Sequence, residues 1–101
     1  MLRDKVLSYI GLATKARLAY SGEFMTEKAV KEGRACLVIL AEDASDNTKK
    51  KFRNMCEFYQ VPFYIYKDKL TLGHACGKEF RASLVIIDKG FATEMKKYLK
   101  A

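Results

Sequence analysis

Apolar and polar positions along the chain switch between two periods. Leu2, Val6, Ile10 and Ala13 recur at three- and four-residue spacing, which predicts an amphipathic helix over the first segment. Leu18-Ala19-Tyr20 then reads as a short strand closed by Ser21-Gly22. From Glu23 to Glu32 the pattern is helical again, with Gly33 as its stop. Glu23 and Glu27 fall in its early turns, where the helix dipole favours acids. Cys36-Leu37-Val38-Ile39-Leu40-Ala41 is an unbroken apolar run whose length and β-branched content predict a buried strand. Ser45 or Asp46 caps a third helix, with Phe52, Met55, Cys56 and Tyr59 as its apolar stripe opposite Lys49, Lys50 and Arg53. Val61-Pro62 leads into a strand from Phe63 to Tyr66. A helix capped by Asp68 ends at Gly77, and Ser83-Leu84-Val85-Ile86-Ile87 forms the last strand. Asp88-Lys89-Gly90 turns into a final helix carrying Phe91, Met95 and Tyr98.

Helices alternating with strands that are apolar on both faces predict a sheet covered on both sides. The expected fold is a three-layer α/β/α sandwich with one central sheet of about four strands, mixed in direction, forming a single domain over residues 1–101. In open sheets of this kind the loops at strand C-terminal ends carry function. Those loops are Glu42-Asp43-Ala44-Ser45 and Asp88-Lys89-Gly90.

Composition narrows the partner. Half of the 101 residues are hydrophobic, with six Phe and six Tyr, which excludes disorder as the main state. Nineteen basic against twelve acidic residues leave a net charge of +7. That balance in so small a domain suggests a polyanion, most often nucleic acid. Met1-Leu2-Arg3-Asp4-Lys5 places charge where a signal peptide needs an apolar stretch, and the run Ala35 to Ala41 is far too short to span a membrane. A cytoplasmic monomer with no membrane contact is expected. Cys36, Cys56 and Cys76 fall on separate elements, there is no Cys-x-x-Cys, and His74 is the lone histidine. Reduced thiols and neither metal nor cofactor are therefore expected.

The catalytic signals are weak. His74 sits on a helix away from any nucleophile pattern. Glu42 and Asp43 are adjacent on extended chain and point to opposite sides. No G-x-G-x-x-G or phosphate-loop motif occurs. The run Lys49-Lys50-Lys51-Phe52-Arg53 cannot share one helix face and reads as solvated surface, as does Lys96-Lys97-Tyr98-Leu99-Lys100. More informative is Lys15-Ala16-Arg17 ahead of Ser21-Gly22-Glu23, with Lys28 and Lys31 one and two turns into the helix. Gly22 lets backbone approach a ligand, and exposed amides at a helix start bind phosphate. A plain glycine turn with charged decoration is the alternative. In Gly77-Lys78-Glu79-Phe80-Arg81, Phe80 is either a core anchor or a ring that stacks on an unpaired base while Lys78 and Arg81 hold phosphates. The ends of this loop are fixed, and its middle is expected to move.

Several of these segments together resemble the kink-turn RNA-binding family, which includes an archaeal large-subunit ribosomal protein, its eukaryotic relatives and core proteins of small nucleolar ribonucleoproteins. The residues that carry the resemblance are Gly22 to Val30 with Gly33, Leu37 to Ala44, Val61-Pro62-Phe63, and Leu72-Gly73-His74-Ala75-Cys76-Gly77. Gly11-Leu12-Ala13, Ser21-Gly22-Glu23, Glu42-Asp43-Ala44-Ser45 and Gly90-Phe91-Ala92 look most like its bacterial ribosomal-protein-like branch. The resemblance implies that the helix beginning at Gly22 enters the groove of a kinked RNA and meets the guanines of tandem sheared G·A pairs. It also implies a cationic contact from Lys28 and a loop from Lys78 to Ala82 that covers a flipped-out nucleotide. Archaeal and eukaryotic members carry Asn-Glu two and three residues after the glycine. Phe24 and Met25 stand there in this chain, so Glu23 is the nearest polar substitute. Lys78 is cationic where many members are aliphatic, which suits a phosphate.

Pattern and resemblance together place the RNA contacts at Lys15, Gly22, Glu23, Phe24, Lys28 and Lys31, at Asp43, and at Lys78, Glu79, Phe80 and Arg81. The expected function is a noncatalytic RNA-binding protein of the translation apparatus, recognising kink-turn or ribosomal RNA. The alternative is a small α/β binding domain for an acidic protein or small-molecule partner. Steep salt dependence separates the two, because RNA binding releases counterions.

Overall fold

The computed structural model describes residues 4–99, so Leu2 and Lys100 lie outside the described residues. The elements are α1 (Lys5–Lys15), β1 (Ala19–Ser21), α2 (Glu23–Lys31), β2 (Leu37–Leu40), α3 (Asp46–Tyr59), β3 (Phe63–Ile65), α4 (Lys69–Ala75), β4 (Ser83–Ile86) and α5 (Lys89–Lys96). The strands form one sheet in the order β1-β4-β2-β3. β4 runs antiparallel to both β1 and β2, and β2 runs parallel to β3. The sheet is mixed, as expected. No helix among the described residues is long and apolar enough to cross a membrane.

The two strongest apolar runs are the two central strands, and every residue of β2 and β4 is buried. Their side chains alternate between two cores, following the two-residue period of a strand. Leu37, Ile39, Leu84 and Ile86 meet Val6 and Ile10 of α1, Leu72 of α4, and Ala92 and Met95 of α5. Val38, Leu40 and Val85 meet Ala29 and Val30 of α2, and Phe52 and Cys56 of α3. Two helical layers thus cover the sheet.

Two aromatic residues depart from the expected stripes. Tyr59 and Tyr98 are exposed, because Gln60 ends α3 in the left-handed region at φ 58° and α5 stops at Lys96. Tyr59 packs instead edge-on against exposed Phe58, with ring centroids 4.9 Å apart. Leu99 is buried in place of Tyr98. The three cysteines are free and lie apart: Cys36 before β2, Cys56 on α3, and Cys76 capping α4.

Strand direction separates the two loops that were expected to carry function. β1, β2 and β3 point the same way and β4 points back. The turn after β2 and the turn after β4 therefore lie at opposite ends of the sheet, so Asp88-Lys89-Gly90 does not join Glu42-Asp43-Ala44-Ser45. Its side chain has a local task, since Asp88 Oδ2 accepts from Phe91 N at 2.9 Å and caps α5.

Candidate nucleic-acid interface

The same strand directions bring four segments to the other end of the sheet: the starts of α2, α3 and α4, and the chain entering β4. Backbone hydrogen bonds weld them together. Gly22 N donates to Ser83 O at 2.9 Å, Ala41 N to Ala82 O at 2.8 Å, and Arg81 N to Lys69 O at 3.0 Å. Asp43 Oδ1 accepts from Lys69 N at 2.9 Å, so the carboxylate ties the β2 exit to the start of α4. Buried Thr26 donates to buried Ser83 at 3.4 Å and seats α2 on β4.

Three helix N-termini now face one way, each the positive end of a dipole. α2 differs from its neighbours in its cap. Asp4, Ser45, Asp68 and Asp88 each accept an amide hydrogen bond at the start of α1, α3, α4 and α5. The α2 start has Gly22 and no side-chain cap. Its leading N–H groups are therefore open to an outside acceptor. Gly22 holds φ 99° and ψ 155°, a conformation that L side chains strongly disfavour. A Cβ there would meet nothing within 4 Å, so backbone strain alone selects glycine.

The cations divide into engaged and unengaged groups. Lys51 Nζ lies 2.9 Å from Glu23 Oε2 and 2.8 Å from Glu27 Oε1, bridging α3 to α2. Lys51 belongs to the run expected as solvated surface, and its role differs because its partners on α2 are far away in sequence. Glu27 and Lys31, at i, i+4 spacing on α2, also pair, at 2.7 Å. Lys31 and Glu23 are thus committed to ion pairs, whereas Lys28 is exposed with no ion pair among the described residues. Lys15 ends α1 ahead of β1, and Gly22 follows β1. Among the described residues no hydrogen bond or ion pair joins Lys15 to the α2 start.

The Lys31 and Lys51 ammoniums donate to the Glu27 carboxylate and hold its pKa down at about 2. The sign follows directly. A depressed carboxylate pKa contributes stability above the unfolded value, and that contribution disappears as pH falls through the folded one. Glu27→Gln should therefore destabilise at neutral pH by at most about 1 kcal/mol. The gap between variant and wild-type urea midpoints should shrink between about pH 4.5 and pH 2. A gap that is constant over this range contradicts the assignment.

Two exposed aromatic rings flank the site. Phe24, in the first turn of α2, is 73% exposed, and Phe80 is 55% exposed. Phe80 shares a pocket of about 240 Å³ with Asp43, Lys69 and exposed Leu70. It is therefore not a core anchor. Hydrogen bonds hold both ends of the loop. Lys78 N donates to Gly73 O at 2.8 Å, and Arg81 Nε donates to Ser21 Oγ at 3.1 Å. The Phe80 backbone lies directly against Gly73 of α4, where a Cβ would come within 2.7 Å of its nitrogen. Glu79 is exposed in the same loop.

An α/β/α sandwich that gathers helix starts and a cation-bearing loop at one sheet end defines the class. The chain belongs to the ribosomal protein L7Ae/L30e/S12e/Gadd45 family, whose model matches residues 4–96. The chain is 42% identical over 86 residues to the RNA-binding protein YlxQ of Bacillus subtilis (strain 168), spanning 85% of this chain and 86% of that one. It is 34% identical over 98 residues to the protein of the same name from Enterococcus faecium, spanning 97% and 94%. A solved structure of a protein of unknown function from Bacillus halodurans superposes with TM-score 0.92 at 38% identity, covering 96% of this chain and 98% of that one. The Giardia lamblia 15.5kD RNA binding protein shares the fold, with TM-score 0.81 at 23% identity over 98% and 91% of the two chains.

Proposed function

We propose that the chain is a noncatalytic RNA-binding protein that recognises kinked, kink-turn-like structured RNA in the translation apparatus, acting as a cytoplasmic monomer. The observation that carries this reading is the uncapped N-terminus of α2 standing beside the Lys78–Arg81 loop. The names of the bacterial relatives support RNA as the ligand. RNA is read mainly where bulges and bends expose bases, and this end of the sheet offers what such an element needs. Open amides and Lys28 meet phosphates, and the Phe80 ring meets an unpaired base. Phe24 replaces a polar reader with an exposed ring at the helix start, so recognition here relies on stacking and phosphate placement more than on guanine hydrogen bonds.

Lys28→Ala tests the placement. The side chain is exposed and unpaired among the described residues, so folding should be unaffected. RNA affinity should fall, and the slope of log K against log salt should flatten by about one unit or somewhat less. Wild-type affinity with an unchanged slope places the RNA elsewhere. Binding of an acidic protein in preference to RNA would favour the alternative class.

A further inference from the structure

A second cavity, of about 250 Å³, opens between α1, β1, α2 and the chain that leaves α4. Its walls include Thr14, Ser21, Met25, Cys76, Lys78 and Arg81. It shares no residue with the pocket under Phe80. Arg81 is half-buried, and its Nε and Nη1 donate to Ser21 Oγ and to Phe80 O at 3.1 and 2.9 Å. Two of the five guanidinium N–H donors are thereby used and the plane is locked, which leaves the rest of the fork for a ligand. No carboxylate pairs with Arg81 or Lys78 among the described residues.

The remaining wall is neutral. Thr14 Oγ1 is buried and makes no well-formed hydrogen bond among the described residues, with only the weakly polar Cys76 thiol beside it, which leaves the hydroxyl free to serve a better acceptor. Burial pushes the Cys76 thiol pKa up, against the opposing Ser21 and Thr14 hydroxyls and the Arg81 and Lys78 charges, so the sulfur brings no negative charge. The cavity thus combines two unneutralised cations, two hydroxyls and an apolar floor. Its size suits a tetrahedral oxyanion with room for part of an attached group. Several oxygen acceptors on one anion match a guanidinium fork and nearby hydroxyls better than the two of a carboxylate.

We propose that this cavity is a phosphate-binding pocket, in which Arg81 and Lys78 supply charge and Ser21 and Thr14 supply hydroxyls. The phosphate comes either from the backbone of a bound RNA, in which case the pocket rests on the RNA-binding reading above, or from a free phosphorylated molecule. Both sources present the same group.

The test uses the full chain. Inorganic phosphate is titrated at constant ionic strength against a chloride control, with the amides of Ser21, Met25, Cys76 and Lys78 followed by NMR. In parallel, a kink-turn RNA is bound to wild type, Arg81→Gln, Lys78→Gln and Thr14→Val at several salt concentrations. Lys78 is exposed, so its variant tests the pocket without a folding penalty. Saturable shifts with phosphate alone, lost in Arg81→Gln and weakened in Thr14→Val, support the pocket. If the RNA slope also flattens by about one unit in Arg81→Gln and Lys78→Gln, the phosphate belongs to RNA. If phosphate saturates while RNA binding is unchanged in the variants, the source is a free phosphorylated molecule. Absence of saturable shifts, together with wild-type RNA affinity and slope in both cation variants, overturns the proposal and leaves the RNA reading standing. Saturable phosphate binding in a chain that binds no RNA overturns that reading and leaves the pocket standing.

Discussion

Gly73→Ala should disrupt the loop before β4 although alanine is the better helix former. A methyl group at this position would lie 2.7 Å from the Phe80 nitrogen and 2.8 Å from its carbonyl carbon. Both are backbone atoms, so no side-chain rotation relieves the overlap. Either α4 or the 77–82 segment must move. Overpacking of this kind costs about 1–3 kcal/mol, against roughly 1 kcal/mol that alanine returns as helix propensity. Displacement also pulls on the hydrogen bonds from Lys78 to Gly73 and from Arg81 to Lys69 and Ser21. We therefore expect a modestly lowered melting temperature and an RNA affinity that drops by about tenfold or more, as the Phe80 stack is misplaced. Titration of Gly73→Ala with RNA beside its urea denaturation curve measures both. Unchanged RNA affinity would mean that the loop does not contact the ligand.

Phe52 and Phe80 supply the second large effect, as a contrast. Each sits next to an arginine in a charged stretch, and the sequence around them looks similar. Phe52 is fully buried between α3 and the sheet, whereas Phe80 is more than half exposed. Phe52→Ala should cost about 3–5 kcal/mol of folding stability. Phe80→Ala should leave stability nearly unchanged and cost about 1–3 kcal/mol of RNA binding. Urea denaturation and RNA titration of both variants decide the matter. Reversed readouts, with Phe80→Ala unfolding the chain, would contradict the assignment of the two rings.

These two cases show where sequence pattern carries structure and where it stops. The β2 and β4 runs and the α1 spacing were legible because burial on one or both faces leaves a periodic trace. Both central strands, both cores and the helix order follow from it. Strand direction leaves no such trace, and only the structure shows that the turns after β2 and β4, each at the C-terminal end of its strand, lie at opposite ends of the sheet. Close approach of one backbone to another is equally silent. Gly73 inside a helix is a hint of it, yet only the fold shows that Phe80 is what approaches. Lys51 sat in a run of like charges whose faces could be assigned, but its partners on α2 come from a different part of the chain. The open start of α2 was readable in Gly22 itself. The side-chain caps at Ser45 and Asp68 were readable as well, whereas those at Asp4 and Asp88 became visible only in the structure, and the contrast with these four starts is what singles out α2.

The central claim is recognition of a kinked RNA by the α2 start and the loop before β4. The most direct measurement compares the affinity of the full chain for a kink-turn RNA with its affinity for the same RNA lacking the bulge, at one fixed salt concentration. Both RNAs present nearly the same charge, so plain electrostatic attraction contributes about equally. The account predicts binding at least about tenfold tighter to the bulged RNA, a difference of ~1.4 kcal/mol. Equal affinities for the two RNAs would contradict it.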